Sequence, residues 1–258
     1  MTDGLRVTIA GLDFYGQGSD GFIISPDGFA GWDDGVDMRL DQLPRPQAHG
    51  MFDLPGYQGS RTVAISGSAI ADSGRQLHWL RGRLTGLLAG GDTGRIQVER
   101  DGDVQWADCR LAAKTMFTEI GGNDIASFQI QVWCPNPLKY GSTNTYSISS
   151  GSSYTTLFHR GNTVGYPTVT VSGSFPGGYV LQSSGGAEYR VTTALGAIPH
   201  TIDMSTGLLV RNGSVVSGGV TRADLWRIQG GSLATDMRLQ PITTGSGTAA
   251  VTLLDTYI

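Results

Sequence analysis

The stretch that most constrains this chain is Phe128-Gln129-Ile130-Gln131-Val132-Trp133-Cys134-Pro135-Asn136-Pro137-Leu138-Lys139-Tyr140-Gly141. Its first half alternates. Phe128, Ile130, Val132 and Cys134 fall on one side, and Gln129, Gln131 and Trp133 on the other. That is the period of a strand buried on one face. Pro135 and Pro137 then stop it, because proline donates no backbone hydrogen bond and holds the residue before it extended. Upstream, strand and helix signals are mixed. Downstream, only strands and turns are legible. Cys134, Pro135, Asn136, Pro137 and Tyr140 therefore read as a domain junction, with one domain over residues 1–140 and a second over 141–258.

A chain of 258 residues can bury a core in each domain. Its 39 glycines are about twice the usual share of roughly 7%. With only 16% charged residues and many Thr, Ser and Val, this suits a folded, β-rich protein with many turns. Lys and Arg number 18 against 22 Asp and Glu, and the lysines are Lys114 and Lys139 alone. No basic run is present to grip phosphates, which argues against specific nucleic-acid binding. No apolar run approaches the ~20 residues needed to span a bilayer, so membrane insertion is not expected. Met1-Thr2-Asp3-Gly4 has neither the basic nor the apolar part of a signal peptide, and folding in a cytoplasm is the expectation.

In the first domain, strands are expected at residues 5–9, 22–24 and 61–67, with Ser25-Pro26-Asp27-Gly28 as a closing turn. Residues 31–59 lose periodicity among acids, prolines and glycines. A connection this long is usually functional. It reads as an extended arm, with a strand over 36–43. One helix is expected over 75–88, capped by Asp72 or Ser73, with Leu77, Leu80, Leu84, Leu87 and Leu88 at helical spacing and Gly90-Gly91 ending it. A hairpin over 95–111 turns at Asp101-Gly102, and a strand over 114–120 leads through Gly121-Gly122-Asn123-Asp124 into the opening stretch. The result is a sheet sandwich with one helix across it. The second domain reads as eleven short strands between 143 and 255, including 225–228, with an Asn212-Gly213 hairpin turn. That is a β-sandwich pattern.

Catalytic and cofactor patterns fail on context. Gly16-Gln17-Gly18-Ser19-Asp20-Gly21 fits a dinucleotide fingerprint but precedes a strand rather than a helix. Gly230-Gly231-Ser232-Leu233-Ala234 lacks the last glycine of a nucleophile elbow. His49, His78, His159 and His200 are scattered, without metal spacing. Asp33, Asp34 and Asp37 lack the alternating oxygen ligands of a calcium loop. No catalytic, cofactor or metal residue is assigned. Cys109 and Cys134 both fall on apolar strand faces; free thiols and a disulfide are the two readings, and a cytosolic start favours thiols. Tyr154, Tyr179 and Trp226 are candidate saccharide contacts if they are exposed. Strand alternation instead favours a core role for most such rings.

Several segments, in order, carry a resemblance. They are Arg61-Thr62-Val63-Ala64-Ile65-Ser66-Gly67 with the helix after it, the Trp133 to Gly141 exit, Asn162-Thr163-Val164-Gly165-Tyr166-Pro167-Thr168-Val169-Thr170-Val171-Ser172-Gly173, and Ile202-Asp203-Met204-Ser205-Thr206-Gly207 with Asn212-Gly213 before Trp226. In these the chain resembles the distal tail proteins of long-tailed phages with non-contractile tails. One departure is Gly230-Gly231-Ser232, where the family commonly has Pro-Gly-Asn.

The resemblance implies a tail-tube-like β-sandwich with a flanking helix, followed by a galectin-like β-sandwich as the outer domain. It implies a homo-hexameric ring at the tail tip of a virion. Its partners would be the tail tube protein, the tail-tip and baseplate proteins and the tape measure protein, with DNA passing through the lumen unbound. The alternative is a carbohydrate-binding module acting through the C-terminal sandwich. An enzyme would need paired carboxylates or a nucleophile with its base, and the sequence shows neither.

Overall fold

The computed structural model describes residues 4–122, 124–231 and 234–258. The N-terminal Met1-Thr2-Asp3, Asn123 of the expected turn, and Ser232-Leu233 of the elbow-like and family-variant segment lie outside the described residues. Contacts divide the chain into two units, one reaching to Lys139 and including Ile258, the other Tyr140–Tyr257.

The first unit contains β1 (Arg6–Ile9), β2 (Leu12–Tyr15), β3 (Gly21–Ala30), β4 (Met38–Arg39), β5 (Tyr57–Gln58), β6 (Arg61–Ile70), α1 (Gly74–Gly86), β7 (Gly94–Arg100), β8 (Asp103–Leu111), β9 (Met116–Glu119) and β10 (Ile125–Cys134). Its strands run β8-β7-β1-β2-β3-β6-β10-β9, and a further β8–β10 pairing closes the sheet on itself. The two layers expected from the sequence are thus opposite walls of one closed barrel.

The longest ladder joins β6 to β10 from Ile125 opposite Ile70 to Cys134 opposite Arg61. Both strands alternate, so Val63, Ile65, Phe128, Ile130, Val132 and Cys134 all enter the core. Phe14, Phe22 and Phe128 meet there with ring centroids 5.3 to 5.6 Å apart. Burial of each such ring contributes about 1.5–3 kcal/mol.

Ser73 caps α1 by accepting from the Gln76 amide, and Gln76 in turn accepts from the Asp72 amide. Leu77, Leu80 and Leu84 are the buried face. The helix stops at Gly86, short of the expected residue 88. Leu88 already has a left-handed backbone, at φ 53°.

Two other differences are instructive. β2 was not expected from the sequence. It follows β1 through a two-residue turn at Ala10-Gly11, both at positive φ, which lacks the usual Asn-Gly or Asp-Gly signal. The Ser25 to Gly28 segment does not close its strand. β3 continues through it with a register shift between Ile24 and Phe29, and a bulge tolerates Pro26 where a regular ladder would not.

The second unit contains β11 (Lys139–Ser149), β12 (Thr155–Leu157), β13 (Thr168–Ser174), β14 (Tyr179–Ser183), β15 (Glu188–Val191), β16 (His200–Asp203), β17 (Leu208–Arg211), β18 (Ser214–Val215), β19 (Val220–Ala223), β20 (Thr235–Pro241) and β21 (Ser246–Tyr257). One sheet runs β18-β17-β16-β13-β21-β11 and the other β12-β20-β14-β15-β19. Val169, Val171, Ile202, Val251, Leu181 and Leu239 belong to the buried cluster of this unit. Asn212-Gly213 turns β17 into β18 with both residues at positive φ, as the dipeptide requires.

The expected strand at 225–228 is absent. Ile228 instead exchanges a pair of backbone hydrogen bonds with Gly165, and β19 lies just upstream. His159 supports this region from within. Its Nδ1 accepts from the Gly161 amide at 3.1 Å, so its Nε2–H donates to the Ile228 carbonyl at 3.2 Å. It is a satisfied core histidine.

Candidate assembly and binding surfaces

The irregular 31–59 segment resolves into two parts with different physics. Its root, residues 31–34, is anchored in the barrel: Trp32 is buried at 2% exposure. Gly31 sits at φ +84°, and a side chain there would meet the Thr62 carbonyl oxygen at 2.0 Å, so only glycine fits. Beyond the root the chain forms a hairpin arm. Asp37 accepts from the Gly59 amide at 2.7 Å and closes the arm's base. Met38 pairs with Gln58 and Arg39 with Tyr57, and Pro44 bridges Met51 near the tip. The expected strand over 36–43 shrinks to these two residues; the register carried onward would set Pro55, which has no N–H to donate, opposite Asp41.

The arm exposes its apolar residues. Leu40, Leu43, Met51, Phe52, Leu54 and Tyr57 are each 43–57% exposed. Exposed apolar side chains are common singly, but six on one hairpin make it a candidate interaction surface. Arg39 lies over the Tyr57 ring and Arg45 over the Phe52 ring, which stiffens the hairpin.

Two cations hold the arm's root. The Arg61 Nη1 donates to the carbonyls of Gly31, Trp32 and Asp34 at 2.8, 2.9 and 2.8 Å. Its Nε donates to the Pro137 carbonyl at 3.2 Å. The Lys139 ammonium donates to the Trp32 carbonyl at 2.9 Å and lies 5.6 Å from the Trp32 ring centroid. Arg61 and Lys139 are only 2% and 5% exposed. Burial, followed by the neighbouring Arg61 charge, brings the Lys139 ammonium down to about 8. Arg100 meets Asp33 at 2.7 Å on the rim.

The junction segment is thus tied to the arm root through Pro137 and Lys139, while Cys134 lies in the core at the end of β10. Asn136 accepts from the Leu138 amide and makes a local turn. Tyr140 begins the second unit. Sequence reasoning missed the clamp. Its one available signal was a lysine in a chain with almost none, set just past two prolines.

The candidate saccharide contacts do not come together. Tyr179 is fully buried, with its hydroxyl 3.2 Å from the His200 Nδ1. Trp226 is 7% exposed and belongs to the second unit's core. Neither can present a ring to a sugar. Tyr179 is buried at the start of β14, and Trp226 is buried from the irregular segment after β19. Tyr154 alone is exposed, beside a shallow groove containing Gln182, Ser184, Gly186, Glu188 and Arg238.

The Arg238 guanidinium stands 4.7 Å from the Tyr154 ring centroid. It donates to Gln182, which donates to Glu188 at 2.6 Å. The hydrogen bond from Gln182, then that from Arg190, holds the Glu188 carboxyl below its ordinary value. These polar groups are already paired with each other. Among the described residues, no group of three or more His, Cys, Asp or Glu could hold a metal ion, and no helix is long and apolar enough to cross a membrane.

A closed barrel with one helix and a hairpin arm, together with a second unit of two sheets, matches a Dit-like fold. Among solved structures the chain is similar to the SPP1 Dit protein, described as a paradigm of the hub adsorption apparatus in phages that infect Gram-positive bacteria. The match has a TM-score of 0.74 at 14% identity and covers 98% of this chain and 99% of that one. It establishes the fold. The phage P2 baseplate in its activated conformation with calcium matches at a TM-score of 0.49 and 10% identity, over 96% of this chain and 97% of that one, too distant to carry an argument. The sequence matches no protein-family model. No curated protein matches it either.

Proposed function

We propose that this chain is a structural, non-enzymatic hub of a long non-contractile phage tail. Six copies form a ring that joins the tail tube to tail-tip or baseplate proteins and leaves a passage for DNA. The observation that carries this reading is the end-to-end likeness to the SPP1 hub protein, at matched length and across both units. The arm supplies the means of ring formation. Its apolar row and short, poorly paired strands suit addition to a neighbouring subunit, which would cover both the side chains and the open backbone edge. A lysine-poor chain with net charge -4 suits a passage that must not retain DNA.

The test is a variant lacking residues 38–58, with Asp37 joined to Gly59 across their existing hydrogen bond. Light scattering after size exclusion is expected to find wild type as a ring and the variant as a soluble monomer. A variant that assembles like wild type would remove the arm from the account. The carbohydrate reading rests on Tyr154 alone, whose ring and neighbouring polar groups are already engaged, and the hub reading is preferred to it.

A further inference from the structure

We propose that Cys109 and Cys134 form a redox staple, a disulfide that locks the barrel's closing seam. The barrel closes where β10 meets β8, with Val132 opposite Leu111 and Trp133 opposite Arg110. The ladder ends there; carried one step further, that antiparallel register would set Cys134 opposite Cys109, and Cys134 is among the groups whose charge acts on Cys109. Both side chains point the same way. Ala107 and Cys109 are the buried positions of β8, and Val132 and Cys134 those of β10 nearest the seam. Both thiols are free and fully buried in one core cluster.

The geometry favours a bond. Directly opposed residues on antiparallel strands place their Cβ atoms about 4.5–5.5 Å apart, and a disulfide needs about 3.5–4.5 Å. A closure of roughly 1 Å suffices, at a place where the ladder is only two pairs long.

The same burial guards the pair. It pushes the Cys109 thiol up to about 12 and the Cys134 thiol up to about 11, so little thiolate exists in the closed barrel at neutral pH. Bridging therefore takes place when the seam opens or while the chain folds. With an oxidised glutathione-type disulfide as oxidant, one cysteine thiolate attacks a glutathione sulfur and expels a glutathione thiolate. The second cysteine thiolate then attacks the mixed disulfide and expels the other. Two cysteine thiols are oxidised, one glutathione disulfide is reduced to two glutathiones, and the two cysteine protons leave with them. This chemistry does not depend on the hub reading. On that reading, it would act once a tail component leaves a reducing cytosol.

The experiment refolds the full chain from denaturant in a buffer of reduced and oxidised glutathione at neutral pH, beside Cys109→Ala, Cys134→Ala and the double variant. Wild type is expected to lose two hydrogens by intact mass and to yield a Cys109–Cys134 linked peptide on non-reducing digestion. Its melting temperature is expected to rise by about 5–10 °C, reversed by dithiothreitol, since the bond closes a loop of about 25 residues. Each single variant should carry a free thiol or a glutathione adduct instead. Wild type that emerges with free thiols or with two glutathione adducts overturns the proposal, and so does a bridged form that melts no higher than the reduced one. The wild-type mass and peptide map decide the matter even if a variant fails to fold.

Discussion

Arg61 and Lys139 look alike as buried cations, yet removing them should have different consequences. Arg61 is the hydrogen-bond donor recorded for the Gly31, Asp34 and Pro137 carbonyls, whereas the Trp32 carbonyl receives both cations. Arg61→Met leaves the part-buried Gly31, Asp34 and Pro137 carbonyls without this donor, and at about 1 kcal/mol for each it should cost about 3 kcal/mol. Lys139→Met keeps the packing and leaves Trp32 with Arg61, so its cost should stay within about 1 kcal/mol. Urea unfolding of both variants makes the comparison.

The two cases also differ in pH. The folded Lys139 ammonium lies near 8 against an ordinary 10.5. Between those values the unfolded chain holds the proton more tightly, so stability rises with pH there, and Lys139→Met should abolish that rise. His200 acts on the acid side. Burial first, then the charge of Arg211, lowers its imidazole below 6.5. Its contribution is complete above the unfolded value of about 6.5 and is lost as pH falls below it. Melting temperature followed from pH 7.5 down to pH 5 should drop less steeply in His200→Gln. An unchanged slope would show that His200 does not set it.

At the scale of elements, the period-2 strands and the leucine-spaced helix were legible, because a half-buried strand and an amphipathic helix write their burial into the sequence. β10 was read from its alternation, β6 as a strand over 61–67 that in fact runs on to Ile70, and the cap only as Asp72 or Ser73, of which the structure uses Ser73. What escaped was set by tertiary context. Ala10-Gly11 turns tightly without a turn dipeptide, and Pro26 survives inside β3 because the register slips there. Barrel closure is a pairing between strands distant in sequence, and no local pattern encodes it. Of the candidate sites, the arm was legible as loss of period, whereas the clamp at its root was not. Three of its acceptors are carbonyls that any residue supplies, and Arg61 is one charge among many. The arm deletion carries a corollary at this scale. Since residues 38–58 are almost wholly exposed and the root stays, the monomeric variant should melt within a few degrees of wild-type monomer, a small-effect outcome consistent with loss of surface contacts only.

For the whole molecule, the two units answer different demands. The first closes its sheet between β8 and β10, which leaves β9 as an end strand, and it carries the exposed hairpin that the proposed ring would use. The second buries the aromatics that an exposed sugar platform would need, keeping Tyr179, Tyr189 and Trp226 in its core. The account's central claim is that copies of this chain close into a ring around a passage. Negative-stain electron microscopy of the purified wild-type protein tests it most directly. The expected result is class averages with six-fold symmetry and a central hole. Fields of separate particles of single-chain size, at concentrations where light scattering also finds only monomer, would contradict it.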